Sequence, residues 1–286
     1  MDIILQVLVN GLLLGGLYGL VAMGLTLVFG VMGVINVAHG DLMVIAAVAT
    51  YLLSSKAGLP PYIALLAVIP VMFAAGVVIQ RVLLERITGS EELMSLLLLF
   101  GFGIAITQTA AQFIGGSFFS VPYWTDSWHI GSIRIPESLG YSSFTALVLA
   151  GLLFYFLRRS PYGRAIRATS SAPELAAATG VDVRRVRAIT FGIGTALAGA
   201  SGTLMVTTQA LNPLSGHVFL LIAFAACVLG GLGSVGGALA AGFILGIIEV
   251  GSSQLVNSQF SQMAIYIAFI GILLIRPSGI FQRASA

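Results

Sequence analysis

The sequence predicts an all-α membrane protein, a bundle of about eight to ten transmembrane helices. Of its 286 residues, 58% are hydrophobic and 8% are charged, and the mean hydropathy is +1.05. A soluble domain carries about a quarter charged residues, so a polar surface cannot be built from this chain. The apolar stretches are long enough for spanning helices of about 20 residues. None alternates apolar and polar residues over about ten positions, as β-barrel strands do.

Nine apolar segments are predicted to span the membrane. They cover residues 4–29, 38–54, 61–80, 93–115, 142–157, 189–209, 217–234, 237–253 and 261–275. We therefore expect residues 1–286 to form a single transmembrane domain.

Basic residues indicate the orientation of the spans. Eleven of the thirteen lie in three regions: Arg81 and Arg86; Arg158, Arg159, Arg164, Arg167, Arg184, Arg185 and Arg187; and Arg276 and Arg283. The positive-inside rule places these regions in the cytoplasm and the loop 116–141 outside. Trp124 and Trp128 in that loop fit an interfacial position. Nine crossings then put the N-terminus outside.

Two glycine-rich segments interrupt long apolar runs. Residues 28–40 read VFGVMGVINVAHG, and residues 228–240 read VLGGLGSVGGALA, with Gly230 and Gly233. Interrupted helices in two halves of a chain are typical of transporters built from repeats, with the breaks beside the substrate path. A possible internal repeat follows. The alternative is a plain reverse turn at the cytoplasmic surface.

Four polar side chains lie within or beside apolar spans: Asn36, His39, Asp41 and Glu249. Ionisable groups in a membrane are costly and usually face the bundle interior. On one interpretation, Asn36, His39 and Asp41 form part of an inner gate or translocation wall. On the other, they end a helix at the cytoplasmic surface, where the helix dipole favours Asp41. Glu249 lies near the outer end of its span, where its side chain can extend toward water.

The long cytoplasmic segment 158–188 contains SAPELAAATGVD, residues 171–182. Ser171 and Glu174 have capping-box spacing, and Pro173 suits a first helical turn. Gly180 supplies a left-handed stop, and Asp182 can cap the next helix. These signals predict a helix of about eight residues outside the membrane. Such a helix is too short to be stable alone, so it needs a partner surface.

The stretch Glu174-Leu175-Ala176-Ala177-Ala178-Thr179-Gly180 resembles the E-A-A-x-x-x-G loop of ABC importer permeases, with Leu175 in place of the first alanine. Nearly the whole chain resembles the smaller of the two permeases of branched-chain amino acid ABC importers, the LivH type. The segments that carry this resemblance are GLTLVFGVMGVINVAHGDLM (24–43), VRAITFGIGTALAGASGTL (186–204), VLGGLGSVGGALAAGFILGIIE (228–249) and RPSGIF (276–281).

The resemblance implies a non-enzymatic permease subunit in a bacterial inner membrane. It implies a second, LivM-like permease, two LivG- and LivF-like ATPases that bind ATP and Mg²⁺, and an external solute-binding protein. The ATPases are expected to dock on the 171–180 helix, with Ser171, Pro173, Glu174, Leu175, Ala176, Ala177 and Gly180 as the coupling residues. This chain has no P-loop, because its one lysine, Lys56, is not preceded by the glycines of the G-x-x-x-x-G-K-[ST] motif. No cofactor of its own is expected.

Branched-chain amino acids are the first expected substrates, and closely similar permeases serve urea, short amides and other small amino acids. The alternative class is an ion-coupled carrier that needs no ATPase. It explains the glycine breaks and the intramembrane acids, but it leaves the capped 171–180 helix without a role. The sequence also shows no histidine or cysteine cluster that predicts a metal site.

Overall fold

The computed structural model describes residues 2–87, 92–257, 260–276 and 279–280. Within them the chain forms eleven α-helices and a short antiparallel β-hairpin. The elements are α1 (Asp2–Met32), α2 (His39–Ala57), α3 (Pro61–Ile79), α4 (Glu92–Ile114), β1 (Ser127–Ile130), β2 (Ile133–Pro136), α5 (Glu137–Arg159), α6 (Pro161–Ser171), α7 (Pro173–Ala178), α8 (Val183–Thr208), α9 (Ser215–Gly230), α10 (Val235–Leu255) and α11 (Ser261–Ile275). A π-helical turn, Gln80–Leu84, extends α3. The predicted helical membrane bundle is confirmed.

Each of the nine predicted spans corresponds to one helix. Seven of the described helices are long and apolar enough to cross a membrane, and α9 and α11 are apolar but shorter. Arg283, which was predicted to mark a cytoplasmic tail, lies outside the described residues.

Helices α1 and α8 form the centre of the bundle, where most of their residues are buried. Small residues allow close contact between helix backbones in a membrane, where lipid removes the hydrophobic drive for association. A Cβ atom at Gly15 would meet the backbone of Gly242 and Phe243, and one at Gly194 would meet the Gly24 carbonyl. Glycine therefore sets the spacing of α1 from α10 and of α1 from α8.

The helices form two halves with related packing. Helix α1 of the first half packs on α10 of the second half, and α8 of the second half packs on α3 of the first half. In the same way, α2 packs on α3, α4 and α8, whereas α9 packs on α10, α11 and α1. Exchanging α1–α4 with α8–α11 maps each of these contacts onto another of them, although among the described residues α10 packs on α11 without a comparable contact between α3 and α4. This correspondence supports the predicted repeat, with four helices in each half.

The predicted pairing of 28–40 with 228–240 is wrong. The exchange of halves matches the connection between α1 and α2, residues 33–38, with the connection between α8 and α9, residues 209–214. Residues 231–234 join α9 to α10 through a tight turn, in which Gly231 and Gly233 have positive φ. The glycine-rich composition shared by the two aligned segments reflects close packing and turn geometry.

Two contacts between distant parts of the chain define two ends of the bundle. The Gln6 side chain donates to the Arg134 carbonyl (2.6 Å) and accepts from the Arg134 amide (2.8 Å), so the start of α1 lies beside the hairpin of the loop 116–141. At the other end, Arg184 pairs with Glu85 across 3.7 Å. The N-terminus thus shares a side with the loop predicted to be external, and two of the basic regions share the opposite side.

Candidate translocation and coupling sites

Two similar turns bring the N-termini of α2 and α9 together. The His39 amide donates to the Asn36 carbonyl (3.1 Å), and the Ser215 amide donates to the Asn212 carbonyl (3.0 Å). The sequences of these turns are NVAHG (36–40) and NPLSG (212–216), with asparagine and glycine at matching positions. This shared pattern was the sequence signal that could have located the site.

Helices α2 and α9 touch through glycine. A Cβ atom at Gly40 would overlap the Gly216 carbonyl oxygen, and one at Gly216 would press on the backbone of Gly40 and Asp41. There is no room for a side chain at either position. Gly40 and Gly216 were not among the predicted site residues, although they fix the crossing of the two helices.

This crossing lies inside the bundle. The His39 Nε2 atom is 3.0 Å from the Val21 carbonyl oxygen, and the His39 side chain is fully buried. Val21 lies four residues from Leu17, the midpoint of α1, which is about 6 Å along the helix axis. A hydrocarbon core of about 30 Å contains that level. The structure therefore favours an interior position for His39 over the cytoplasmic surface.

Asp41 joins α2 to α4. The Thr107 hydroxyl donates to Asp41 Oδ1 (2.9 Å), and only 4% of the aspartate is exposed. Gly103 lies against the other carboxylate oxygen. His217 follows Gly216 on α9 and is exposed. Neither Thr107 nor His217 was predicted as part of this site, because each is distant in sequence from Asp41.

Asn36, His39 and Asp41 do not form one hydrogen-bonded group among the described residues. Asn36 is fully buried, and neither of its side-chain polar atoms has a hydrogen-bond partner among the described residues. The same holds for His39 Nδ1. Positions 39 and 41 point to different neighbours, α1 and α4, as expected for residues two apart on a helix. The three predicted residues lie at or beside one crossing, and only His39 and Asp41 have described side-chain hydrogen-bond partners there.

Replacing Thr107 by valine is expected to lower the stability of the protein. The change leaves a buried carboxylate oxygen without its donor, which costs about 1–3 kcal/mol. Thermal denaturation of the purified chain in detergent measures the effect. Thr109→Val is the matched control, because the Thr109 hydroxyl is exposed and bonds only to Ala105 of its own helix. Equal denaturation midpoints for the two variants would contradict the assigned role of Thr107.

The remaining predicted path residues lie elsewhere. Gly230 ends α9, and a Cβ there would meet the backbone of Gly237, so it belongs to the packing of the α9–α10 turn. Gly233 lies beside Gly30 at the end of α1. Glu249 on α10 is partly buried and faces Tyr18 of α1. The structure does not bring these residues to the α2–α9 crossing.

The predicted cytoplasmic helix is α7, six residues long and shorter than expected. The predicted capping box is wrong: the Ser171 hydroxyl donates to the Arg167 carbonyl (3.1 Å), because Ser171 still belongs to α6. Ala172 occupies the N-cap position without a side-chain hydrogen bond. The predicted stop is confirmed, since Gly180 has φ +88°.

The end of α7 has the hydrogen bonds of a Schellman motif. The Val181 amide donates to the Ala176 carbonyl (3.1 Å), and the Gly180 amide donates to the Ala177 carbonyl (3.0 Å). Asp182 then caps α8, as predicted, by accepting from the Arg185 amide (3.0 Å). The direction of α7 relative to α8 is therefore set by local geometry.

Most of α7 is exposed. Ala176 is its one buried residue, at 5% exposure, whereas Leu175 is 70% exposed and Glu174, Ala177 and Gly180 are also exposed. Helix α6 precedes it and was missed by the sequence interpretation, although Ser160 and Pro161 signal its start and the Ser160 hydroxyl accepts from the Gly163 amide (2.8 Å). Together, α6 and α7 present a short surface outside the membrane bundle.

A two-half helical bundle with a polar crossing inside it and an exposed short helix at one end defines a multi-pass membrane permease. The chain belongs to the family described as the permease component of branched-chain amino acid transport systems, which matches residues 7–275. It is a membrane subunit of an ABC transporter and is not itself catalytic.

Curated relatives match almost the full chain. The chain is 32% identical to the high-affinity branched-chain amino acid transport system permease protein LivH of Salmonella typhimurium, over 98% of this chain and 96% of that protein. It is 31% identical to BraD of Pseudomonas aeruginosa, over the same shares. Among solved structures, PsaBC from Streptococcus pneumoniae in complex with Fab matches with a TM-score of 0.50 and 15% identity, covering 96% of this chain and 93% of that one. That likeness concerns the fold alone.

Proposed function

We propose that this chain forms one half of the translocation path of an importer for branched-chain or related small amino acids. The exposed α7 surface carries this proposal. A 70% exposed leucine on a six-residue helix makes little contact with its own bundle. If an ATPase subunit covers this surface in the assembled transporter, the exposure of α7 in the isolated chain is explained. The fixed direction of α7 then holds the docking surface in place.

The path is proposed to pass the α2–α9 crossing along α4. Asp41 is linked to α4 through Thr107, so a displacement of α2 is transmitted to that helix. The α4 surface exposes Gln108 and Gln112 among apolar residues. These amides are suited to contact a small polar solute in a cavity completed by a second permease. ATP-driven closure shifts the population between an outward-open and an inward-open state.

The proposed partners are a second permease, two ATPases that bind ATP and Mg²⁺, and an external solute-binding protein, in a bacterial inner membrane. The support is the family, whose members are transport-system components, together with the multi-pass fold. Branched-chain amino acids are proposed as substrates because LivH and BraD are named for them. Urea and short amides remain the alternative.

Reconstitution in proteoliposomes tests the proposal. We expect uphill leucine uptake when both permeases, both ATPases, the binding protein and ATP are present, and none with this chain alone. Dissipating ion gradients is expected to leave this uptake unchanged. Competition by valine and isoleucine, but not by urea or acetamide, would support the substrate. Uphill uptake by the chain alone, or uptake driven by an ion gradient, would identify an ion-coupled carrier instead.

A further inference from the structure

An apolar groove lies between α3 and α5, on the side of the bundle away from the α2–α9 crossing. Both helices pack on α8, which forms the floor of the groove. The cavity has a volume of about 740 Å³. Its walls include Ile69 and Phe73 on α3 and Leu152 and Phe156 on α5. The small side chain of Ala196 on the floor leaves this space open.

The groove ends at arginine residues. Arg81 and Arg185 line its cytoplasmic end, and both also line an adjoining polar cavity of about 350 Å³. The two acids of that second cavity are engaged, since Glu85 pairs with Arg184 and Asp182 caps α8. No described carboxylate forms an ion pair with Arg81 or Arg185.

The length of the groove fits an acyl chain of one leaflet. From Ile69 to Arg81 it extends about 18 Å, close to the thickness of one leaflet of the hydrocarbon core, about 15 Å. A helix with its side chains is about 10 Å across. An acyl chain is thinner, and its length matches the leaflet.

We propose that this groove binds an anionic phospholipid of the cytoplasmic leaflet. The acyl chain occupies the space between α3, α5 and α8, and the phosphate lies between Arg81 and Arg185. Arginine binds phosphate oxygens through paired N–H donors. The Arg185 guanidinium lies 5.7 Å from the centre of the Tyr162 ring, which holds it at the mouth of the groove. The lipid thereby contacts the start of α8, five residues after Gly180 at the end of the coupling segment.

Native mass spectrometry of the purified full chain in detergent tests the proposal, with phosphatidylglycerol and phosphatidylcholine as probes. Phosphatidylglycerol is expected to bind more tightly, and Arg81→Gln with Arg185→Gln is expected to lower its affinity on the order of tenfold. Arg159→Gln with Arg164→Gln is the matched control, because it removes two exposed charges that do not line the groove.

Two further measurements test the acyl part of the site. Ala196→Phe fills the groove without changing charge and is expected to weaken binding of both lipids. A photo-reactive residue in place of Ile193, which lines the groove, is expected to capture lipid in membranes. Equal affinity for the two lipids, equal losses in the two arginine double variants, or capture of a protein at position 193 would overturn the proposal.

Discussion

Replacing Gly40 by alanine is expected to destabilise the protein and to impair transport. The added Cβ would overlap the Gly216 carbonyl oxygen, and a backbone atom cannot rotate away as a flexible side chain can. Overpacking of this kind costs about 1–3 kcal/mol, which lowers the thermal denaturation midpoint by roughly 2–10 °C for a chain of this size. Denaturation in detergent and uptake in proteoliposomes measure the two effects.

The matched control for the denaturation measurement is Gly101→Ala on α4. A Cβ atom at Gly101 meets nothing within 4 Å, so this alanine adds helix propensity without a clash. The double variant Gly40→Ala with Gly216→Ala is expected to cost less than the sum of the single variants, because both separate the same two backbones. If Gly40→Ala behaved like Gly101→Ala, α2 and α9 would not cross at these residues.

Replacing Gly180 by alanine is expected to weaken the coupling of the permease to its ATPase subunits, while the helices still insert into the membrane. Gly180 has φ +88°, which costs other L-residues about 1–2 kcal/mol, and a Cβ there meets nothing within 4 Å. The strain of the alanine variant therefore lies in the backbone turn at position 180, which sets the direction of α7. We expect ATP-dependent uptake and co-purification of the ATPases to fall on the order of tenfold, since about 1.4 kcal/mol corresponds to that factor.

Gly180→Asn is the control for backbone conformation, because asparagine adopts the left-handed region more readily than alanine. It is expected to retain more uptake than Gly180→Ala. Glu174→Lys and Leu175→Asp test the docking surface itself. Both positions are exposed, so normal membrane insertion with lost ATPase binding is the expected result. Unchanged ATPase binding in all of these variants would show that the ATPases dock on a surface other than α7.

The two predictions concern different physical steps. Gly40 lies where two helices meet inside the bundle, so its substitution changes the packing beside the proposed path. Gly180 lies in an exposed turn, so its substitution is expected to change how ATPase docking is transmitted to that packing. Thr107, which ties Asp41 to α4, connects the crossing to the surface along which the solute is proposed to move.

Sequence alone determined the class of protein, the nine apolar helical segments, the glycine stop after α7 and the Asp182 cap of α8. Apolar length, the positions of the arginines and the left-handed glycine stop are properties of consecutive residues. They could therefore be predicted without any knowledge of the fold. The predicted capping box was wrong because Ser171 is the last residue of α6. The start signal of α6 at Ser160 and Pro161 was overlooked.

Only the tertiary structure decided which breaks in the helices meet. Asn36 and Asn212 occupy equivalent turns although 176 positions separate them, and the compositional match of 28–40 with 228–240 pointed to a different pair. In a chain this rich in glycine, alanine and valine, composition does not identify which segments are equivalent in the two halves. The close approach of Gly40 to Gly216 depends on the packing of all neighbouring helices, which no single segment encodes.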